Sequence, residues 1–315
     1  MIYSKILIEK FSHETGFIGS NIEKVIRLLD VLDFIFSKSS FQEKLVLKGG
    51  TAINLAYTNL ARLSVDIDLD YHGSILREVA VADREKISNE LDSFMLSEQY
   101  ELSPKTRQST ALLSKVYRYR NAFGNLDNVK VEINFMDRIS LYPPVANEIC
   151  YFGKKAVVKT LAIEELFGMK IAALIDRSKP RDLYDAAYLL KQDKPLQQSA
   201  LKKAAIFYLS LDGIFFFDSN LFHGIKSITW KEIKTELLPV LKKGEKFNLP
   251  LCSEQIVNLL LGLLALDENE NEYLAKFSKG NYNPFLLFEK EIGQRADQHP
   301  MAKWKEMNLK KKSQS

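Results

Sequence analysis

The chain has 315 residues, 46% of them apolar, and a formal net charge of +4. That length suits one large domain or two packed ones with a sizeable core. Its two cysteines, Cys150 and Cys252, lie too far apart in sequence for a disulfide framework, and its four histidines (His13, His72, His223, His299) lack zinc-like spacing.

The opening MIYSKILIEKF mixes charges among its apolar residues, unlike a signal peptide. Ser20 to Phe36 carries Ile22, Val25, Ile26, Leu29 and Leu32 at helical spacing, with Ser20 or Asn21 as a candidate cap. Leu45 to Leu47 reads as a short strand ending at Gly49-Gly50, with a helix over Thr51 to Tyr57 directly after. Val65 to Tyr71 alternates strictly and is expected to be a strand. Arg84 to Leu96 is an amphipathic helix; Leu112 to Arg120 and Val129 to Phe135 are two strands joined by a loop. From about Glu164 the signal is almost wholly helical. Ile256 to Leu266 is too short to cross a bilayer, which takes roughly 20 residues, and reads as a buried helix. The tail LKKKSQS supplies three lysines, a mild bias toward an anionic partner. The change of pattern puts a domain boundary near 150 to 160, giving domains 1–158 and 159–315. A cytoplasmic protein with no membrane partner is the expectation.

The chemistry concentrates in LVLKGGTAINLAYTNLARLSVDIDLDY, Leu45 to Tyr71. A period of two puts Asp66, Asp68 and Asp70 on one strand face and Val65, Ile67, Leu69 and Tyr71 on the other. Two carboxylates at i and i+2 can reach one hard cation such as Mg²⁺, which accepts a couple of carboxylates and completes its shell with water and phosphate oxygens. Strand, Gly49-Gly50 and helix together leave backbone N–H groups at a positive helix end, suited to a phosphate. A glycine pair alone is an ordinary turn and an acidic strand alone a solvated face; their order makes the signal. VKVEINF offers Glu132 as a third carboxylate, with Lys130 and Asn134 on its face; Asp137 is the alternative.

A glycine pair, a helix, a D-x-D strand and a later acidic strand resemble the nucleotidyltransferase fold of the DNA polymerase β superfamily. K-G-G-T-A (Lys48 to Ala52) with R-L-S-V-D-I-D-L (Arg62 to Leu69) is similar to a narrower group, the AbiEii-type nucleotidyltransferase toxins of type IV toxin–antitoxin systems. A second block, EELFGMKIAALIDRSKPRDLYD (Glu164 to Asp185), matches that family's helical lysine, arginine and R-D-x-x-D. The blocks bracket about 140 residues; the last 130 or so match little. Fifteen residues separate Gly50 from Asp66, slightly more than the general superfamily spacing.

The resemblance implies an α+β protein: a polymerase-β-like core, a mixed sheet flanked by helices, then a mostly α-helical C-terminal region that contributes to the active site. It implies a metal-dependent transfer of a nucleoside monophosphate from an NTP, with pyrophosphate released. Asp66 and Asp68 would hold Mg²⁺ (or Mn²⁺), and Glu132 would help bind a second metal or act as base. Gly49, Gly50 and Thr51 would cradle phosphates, and Arg62 and Ser64 would lie by the nucleotide. Lys170 would meet the triphosphate, with Arg177, Arg181, Asp182 and Asp185 around it or on the nucleotide. The acceptor implied is RNA, notably the tRNA 3′ end, and the protein partner is a cognate antitoxin. Read physically, the second block is a helix broken at Pro180, with Lys170, Ala173, Leu174 and Arg177 sharing a face; the alternative is a salt-bridge network on a solvated face. KVYRYR (Lys115 to Arg120) could grip RNA phosphates and stack bases, or form an outer strand with exposed cations. Two rivals are a metal-dependent nuclease and a non-catalytic nucleotide-binding module. The nuclease would want a lysine where Asn134 stands.

Overall fold

A computed structural model describes residues 3–189, 196–218 and 220–314. The chain forms two compact units: one of residues 1–138, 144–161 and 239–245, the other of 139–143, 162–238 and 246–315.

The first unit is built on a mixed sheet. Its strands are β1 (Leu45–Lys48), β2 (Asp66–Tyr71), β3 (Glu101–Leu102), β4 (Arg107–Gln108), β5 (Leu112–Arg120), β6 (Leu126–Asn134), β7 (Val145–Tyr151) and β8 (Lys154–Thr160). The order is β3-β5-β6-β2-β1-β8-β7, with β4 also on β5. β1 and β2 run antiparallel, while β2–β6 and β1–β8 are parallel. The β7–β8 hairpin has no pattern in the sequence reading. It turns at Phe152-Gly153, both at positive φ, the geometry of a two-residue hairpin loop in which an asparagine would have been the usual signal.

The helices of this unit are α1 (Lys5–Thr15), α2 (Gly19–Asp33), α3 (Gly49–Ala52) and α4 (Arg77–Ser97). The periodic residues of α2 are all buried, as the spacing requires. Its cap differs from expectation: neither Ser20 nor Asn21 caps, and Asn21 instead donates to the Pro239 carbonyl at 2.7 Å. α4 begins seven residues earlier than the pattern predicts. Its buried stripe runs Ala80, Asp83, Ile87, Leu91, Met95, so an aspartate interrupts the apolar signal. Asp83 is tolerated there because Tyr71 Oη (2.6 Å) and Lys44 Nζ (2.8 Å) both donate to it, holding its carboxyl below the usual range against the cost of burial. A second such set lies further along α4, where Lys115 Nζ (2.6 Å) and Tyr117 Oη (2.7 Å) donate to Asp92. Two Lys–Asp–Tyr sets thus tie α4 to the sheet face that carries Ile67, Leu69 and Tyr71.

The second unit is helical: α5 (Ile163–Arg177), α6 (Pro180–Leu189), α7 (Gln198–Asp212), α8 (His223–Ser227), α9 (Trp230–Glu232), α10 (Leu249–Leu263), α11 (Glu268–Phe277), α12 (Lys290–Asp297) and α13 (Pro300–Gln314). α10 is the apolar stretch expected to be buried. It buries Ile256, Val257 and Leu260 but leaves Leu251, Leu259 and Leu261 exposed, so it is a one-sided helix. Among the described residues no single helix is long and apolar enough to cross a membrane. Lysines 310 to 312 of the tail fall within α13.

Candidate functional site

The site begins where β1 stops. Lys48 is the last residue of β1, and Gly49 turns the chain at φ +69°, a left-handed conformation that glycine adopts without cost. A Cβ on Gly49 would stand 2.7 Å from Asp68 Oδ2, and one on Gly50 2.6 Å from an Arg62 guanidinium nitrogen. The left-handed backbone is what calls for glycine at position 49, whereas a Cβ at position 50 would have to push aside the end of the Arg62 side chain. The helix includes them as its first turn rather than following them, and it passes into a π-helical turn at Ile53–Tyr57.

A buried set of polar side chains fixes this turn. Asn54 Nδ2 donates to the Gly50 carbonyl at 2.9 Å, and Asn54 Oδ1 accepts from the Arg62 N–H at 3.1 Å. The Thr51 hydroxyl, wholly buried, bonds Ser64 Oγ at 2.9 Å and the Asp66 carbonyl. Thr51, Ser64 and Arg62 thus brace the loop that delivers Asp66. Asn54 was missed in the sequence because a mid-helix asparagine carries no periodic signal.

The acidic face then follows from register. Lys48 pairs with Asp68, and Asp68 with Glu132 on its other side. Asp66 pairs with Lys130, and Asp70 with Asn134. Paired residues share a face, so Lys48, Asp66, Asp68, Asp70, Lys130, Glu132 and Asn134 all stand on one side of three neighbouring strands. Asp66, Asp68 and Glu132 are half-buried. Lys130 lies 2.5 Å from Glu132 and its pKa is raised: burial opposes its charge, but Glu132, Asp66 and Asp68 outweigh it. Lys48 Nζ reaches Asp70 Oδ1 at 2.5 Å and Asp137 Oδ2 at 3.5 Å. Burial works against its charge too, yet Asp70, Asp137 and Asp68 hold its pKa well above the ordinary lysine value. The repulsion among three aspartates on alternate positions is thus relieved partly from within the protein.

The donor set is carboxylate oxygen only, which suits a hard cation. Among the described residues no three His, Cys, Asp or Glu side chains gather closely enough to hold a metal by themselves. Such a set fits Mg²⁺ carried in with substrate phosphates, the usual Mg²⁺ arrangement, and not an all-protein cage.

The residues expected from the second block also come together, within the helical unit. α5 ends at Ser178 in a left-handed conformation and Pro180 opens α6, as expected. Asp182 accepts from Lys170 Nζ at 2.7 Å and from Arg177 Nε at 2.8 Å and Nη2 at 3.2 Å; Asp185 lies 3.1 Å from the same Lys170 Nζ. Lys170, Asp182 and Asp185 are buried, Arg177 is exposed and Arg181 is half-buried. Burial raises the Asp182 carboxyl pKa, but Lys170 and Arg177 more than reverse this and leave it below the usual range. This is not a solvated face.

KVYRYR matches its second expectation in part, with exposed cations at Arg118 and Arg120 and none at Lys115. Lys115 and Tyr117 are bound to Asp92, and Tyr119 is buried with the Arg27 guanidinium 3.9 Å from its ring centroid. Lysine and tyrosines belong to the core, and only Arg118 and Arg120 face outward.

A family model described as "Nucleotidyl transferase AbiEii toxin, Type IV TA system" matches residues 30–250, more than half of the chain. The chain belongs to that family. Its members are nucleotidyltransferase toxins, and membership implies an NTP substrate and an antitoxin partner. The AbiEii chain also matches the solved structure of MenT4, a nucleotidyltransferase toxin from Mycobacterium tuberculosis H37Rv, with a TM-score of 0.66 at 14% identity. The match covers 87% of this chain and 94% of MenT4, and at that identity it is a likeness of fold. No curated protein gives a significant sequence match. The matched stretch contains every site residue expected from the sequence, Gly49 through Asp185.

Proposed function

We propose that this AbiEii toxin transfers a nucleoside monophosphate from an NTP to an RNA acceptor such as the tRNA 3′ end, with a divalent cation and release of pyrophosphate. The observation that carries the reading is the register of Asp68 with Glu132, with Asp66 on the same face one step earlier. Asp66 and Asp68 would hold Mg²⁺ (or Mn²⁺), and Glu132 would serve a second cation or accept the proton of the attacking hydroxyl. When bound, the cation supplies charge stabilisation for the phosphoryl oxygens. Gly49 and Gly50 let the triphosphate approach the backbone, and Thr51, Arg62 and Ser64 keep that turn in place. In this reading Lys170 acts on the triphosphate, and Asp182 and Asp185 orient it; Arg177 and Arg181 are the nucleotide-facing cations.

The test is incubation of the purified chain with Mg²⁺, each labelled NTP in turn and total RNA. Labelled RNA is the expected product. Shortened RNA would instead indicate a nuclease, and unchanged RNA a binding module. Expression without the antitoxin should slow bacterial growth, and expression of Asp68→Ala should not.

A further inference from the structure

Three aspartates on one face of β2 leave open which of them a visiting cation would meet. Asp66, Asp68 and Asp70 follow one another at roughly 7 Å, two residues of strand. A divalent cation could settle at either end of that row. Lys48 removes the ambiguity. It projects from the neighbouring strand at the level of Asp68, and its ammonium reaches forward to Asp70 Oδ1 at 2.5 Å and Asp137 Oδ2 at 3.5 Å. Asn134 Nδ2 donates to the same Asp137 oxygen at 2.6 Å. Asp70 and Asp137 are buried, whereas Asp66, Asp68 and Glu132 keep access to solvent. Lys48 also immediately precedes Gly49, whose backbone lies against the Asp68 carboxylate.

We propose that Lys48 is a positioning residue: a resident counter-ion that occupies Asp70 and Asp137 and so confines the divalent cation to Asp66, Asp68 and Glu132. The proposal rests on the metal-dependent reading above. An ammonium and a divalent cation repel, so Lys48 weakens cation binding while fixing where the cation sits. Removing it should tighten binding and misplace the cation.

The experiment is titration with Mn²⁺ in the presence of a non-hydrolysable NTP, followed by electron paramagnetic resonance, alongside transfer rates. Lys48→Met should bind Mn²⁺ at least ~10-fold more tightly than the wild type, the direction set by the lost positive charge, yet transfer at least ~10-fold more slowly. Lys48→Arg, which keeps the charge, should keep Mn²⁺ affinity within about 3-fold. Lys48→Met combined with Asp70→Asn restores the charge balance and decides the matter if Lys48→Met does not fold. It should bind Mn²⁺ within about 3-fold of the wild type, because Asp70 is not a ligand. Unchanged affinity in Lys48→Met, or a tenfold loss in the double variant, overturns the inference while leaving the metal reading in place. A wild-type chain that binds no Mn²⁺ even with the non-hydrolysable NTP present overturns both.

Discussion

The acidic face of the sheet unit and the ion cluster of the helical unit use the same residue types in opposite ways. On the sheet, carboxylates outnumber the lysines near them, and Asp66, Asp68 and Glu132 stay half-exposed. In the helical unit one lysine is enclosed by two aspartates, all three 2–7% exposed. Solvent and a visiting cation can balance the first set; only its own members balance the second. Substitution on the sheet should therefore cost activity and little stability. Substitution in the cluster should cost stability first, whatever it does to catalysis.

The sharpest break is at the sheet. Asp66→Ala and Asp68→Ala should each lower nucleotide transfer at least ~100-fold, the scale of losing one electrostatic contact to the reacting phosphates. Melting temperature should barely move, because both side chains face away from the packed side of β2. Transfer assays and thermal melts on the same samples check this. A near wild-type rate in either variant would remove the residue from the site.

Lys170→Ala tests the other half. From the sequence alone, this variant is expected to melt nearly as the wild type does. Burial of Asp182 and Asp185 reverses that, since removing one partner leaves buried charge uncompensated, at about 3–5 kcal/mol. In a unit of this size that is a fall of roughly 10 °C. Lys170→Met with Asp182→Asn and Asp185→Asn should recover much of it. Transfer by the stabilised triple variant then separates catalysis from folding: a loss of at least ~100-fold supports the Lys170–Asp182–Asp185 cluster in the reaction, and retained activity makes the cluster scaffolding.

Buried Glu165 of α5 adds a pH-dependent contrast. Burial raises its pKa to about 7, against hydrogen bonds from Tyr208 Oη at 2.6 Å and the N–H groups of Leu141 (2.8 Å) and Tyr142 (3.1 Å). A carboxyl with a raised folded pKa binds its proton more tightly when folded. Stability should therefore fall as pH rises from about 4.5 to about 7 and level off above, by up to about 3 kcal/mol. Asp182 has the opposite sign: its lowered pKa gives a stabilisation present above about pH 4 and lost on further acidification. Denaturant unfolding of Glu165→Gln from pH 5 to 8 should show a flatter profile than the wild type, and an equally steep one would place the titration elsewhere.

The sequence carried the sheet face well, because period-two alternation is local and β2, β5 and β6 lie within three residues of their expected spans. The cross-strand register that puts Lys48 beside Asp68 was not legible, since it depends on which strands pair. Nor was the burial of the Lys170 cluster. Charged residues at i, i+3 and i+4 look the same on a wet face and in a core, and only packing tells them apart. KVYRYR misled for the same reason: its tyrosines alternate as base-stacking residues would, but α2 and α4 claim them.

Those tyrosines give the smallest and cleanest comparison. Tyr117 and Tyr119 are two residues apart on one strand face, both buried, and burial raises both hydroxyl pKa values far above the ordinary tyrosine range. The Tyr117 hydroxyl serves Asp92, whereas the Tyr119 hydroxyl has no hydrogen-bond partner among the described residues. Tyr117→Phe should therefore cost about 1–3 kcal/mol by stripping a donor from a carboxylate. Tyr119→Phe removes a desolvated, unpaired group and should be neutral or stabilising by under about 1 kcal/mol, its ring still stacked on Arg27. Neither should change RNA labelling, because neither ring is open to a base. Weaker RNA labelling by folded Tyr119→Phe would return this strand to the acceptor surface and make the core reading of KVYRYR wrong.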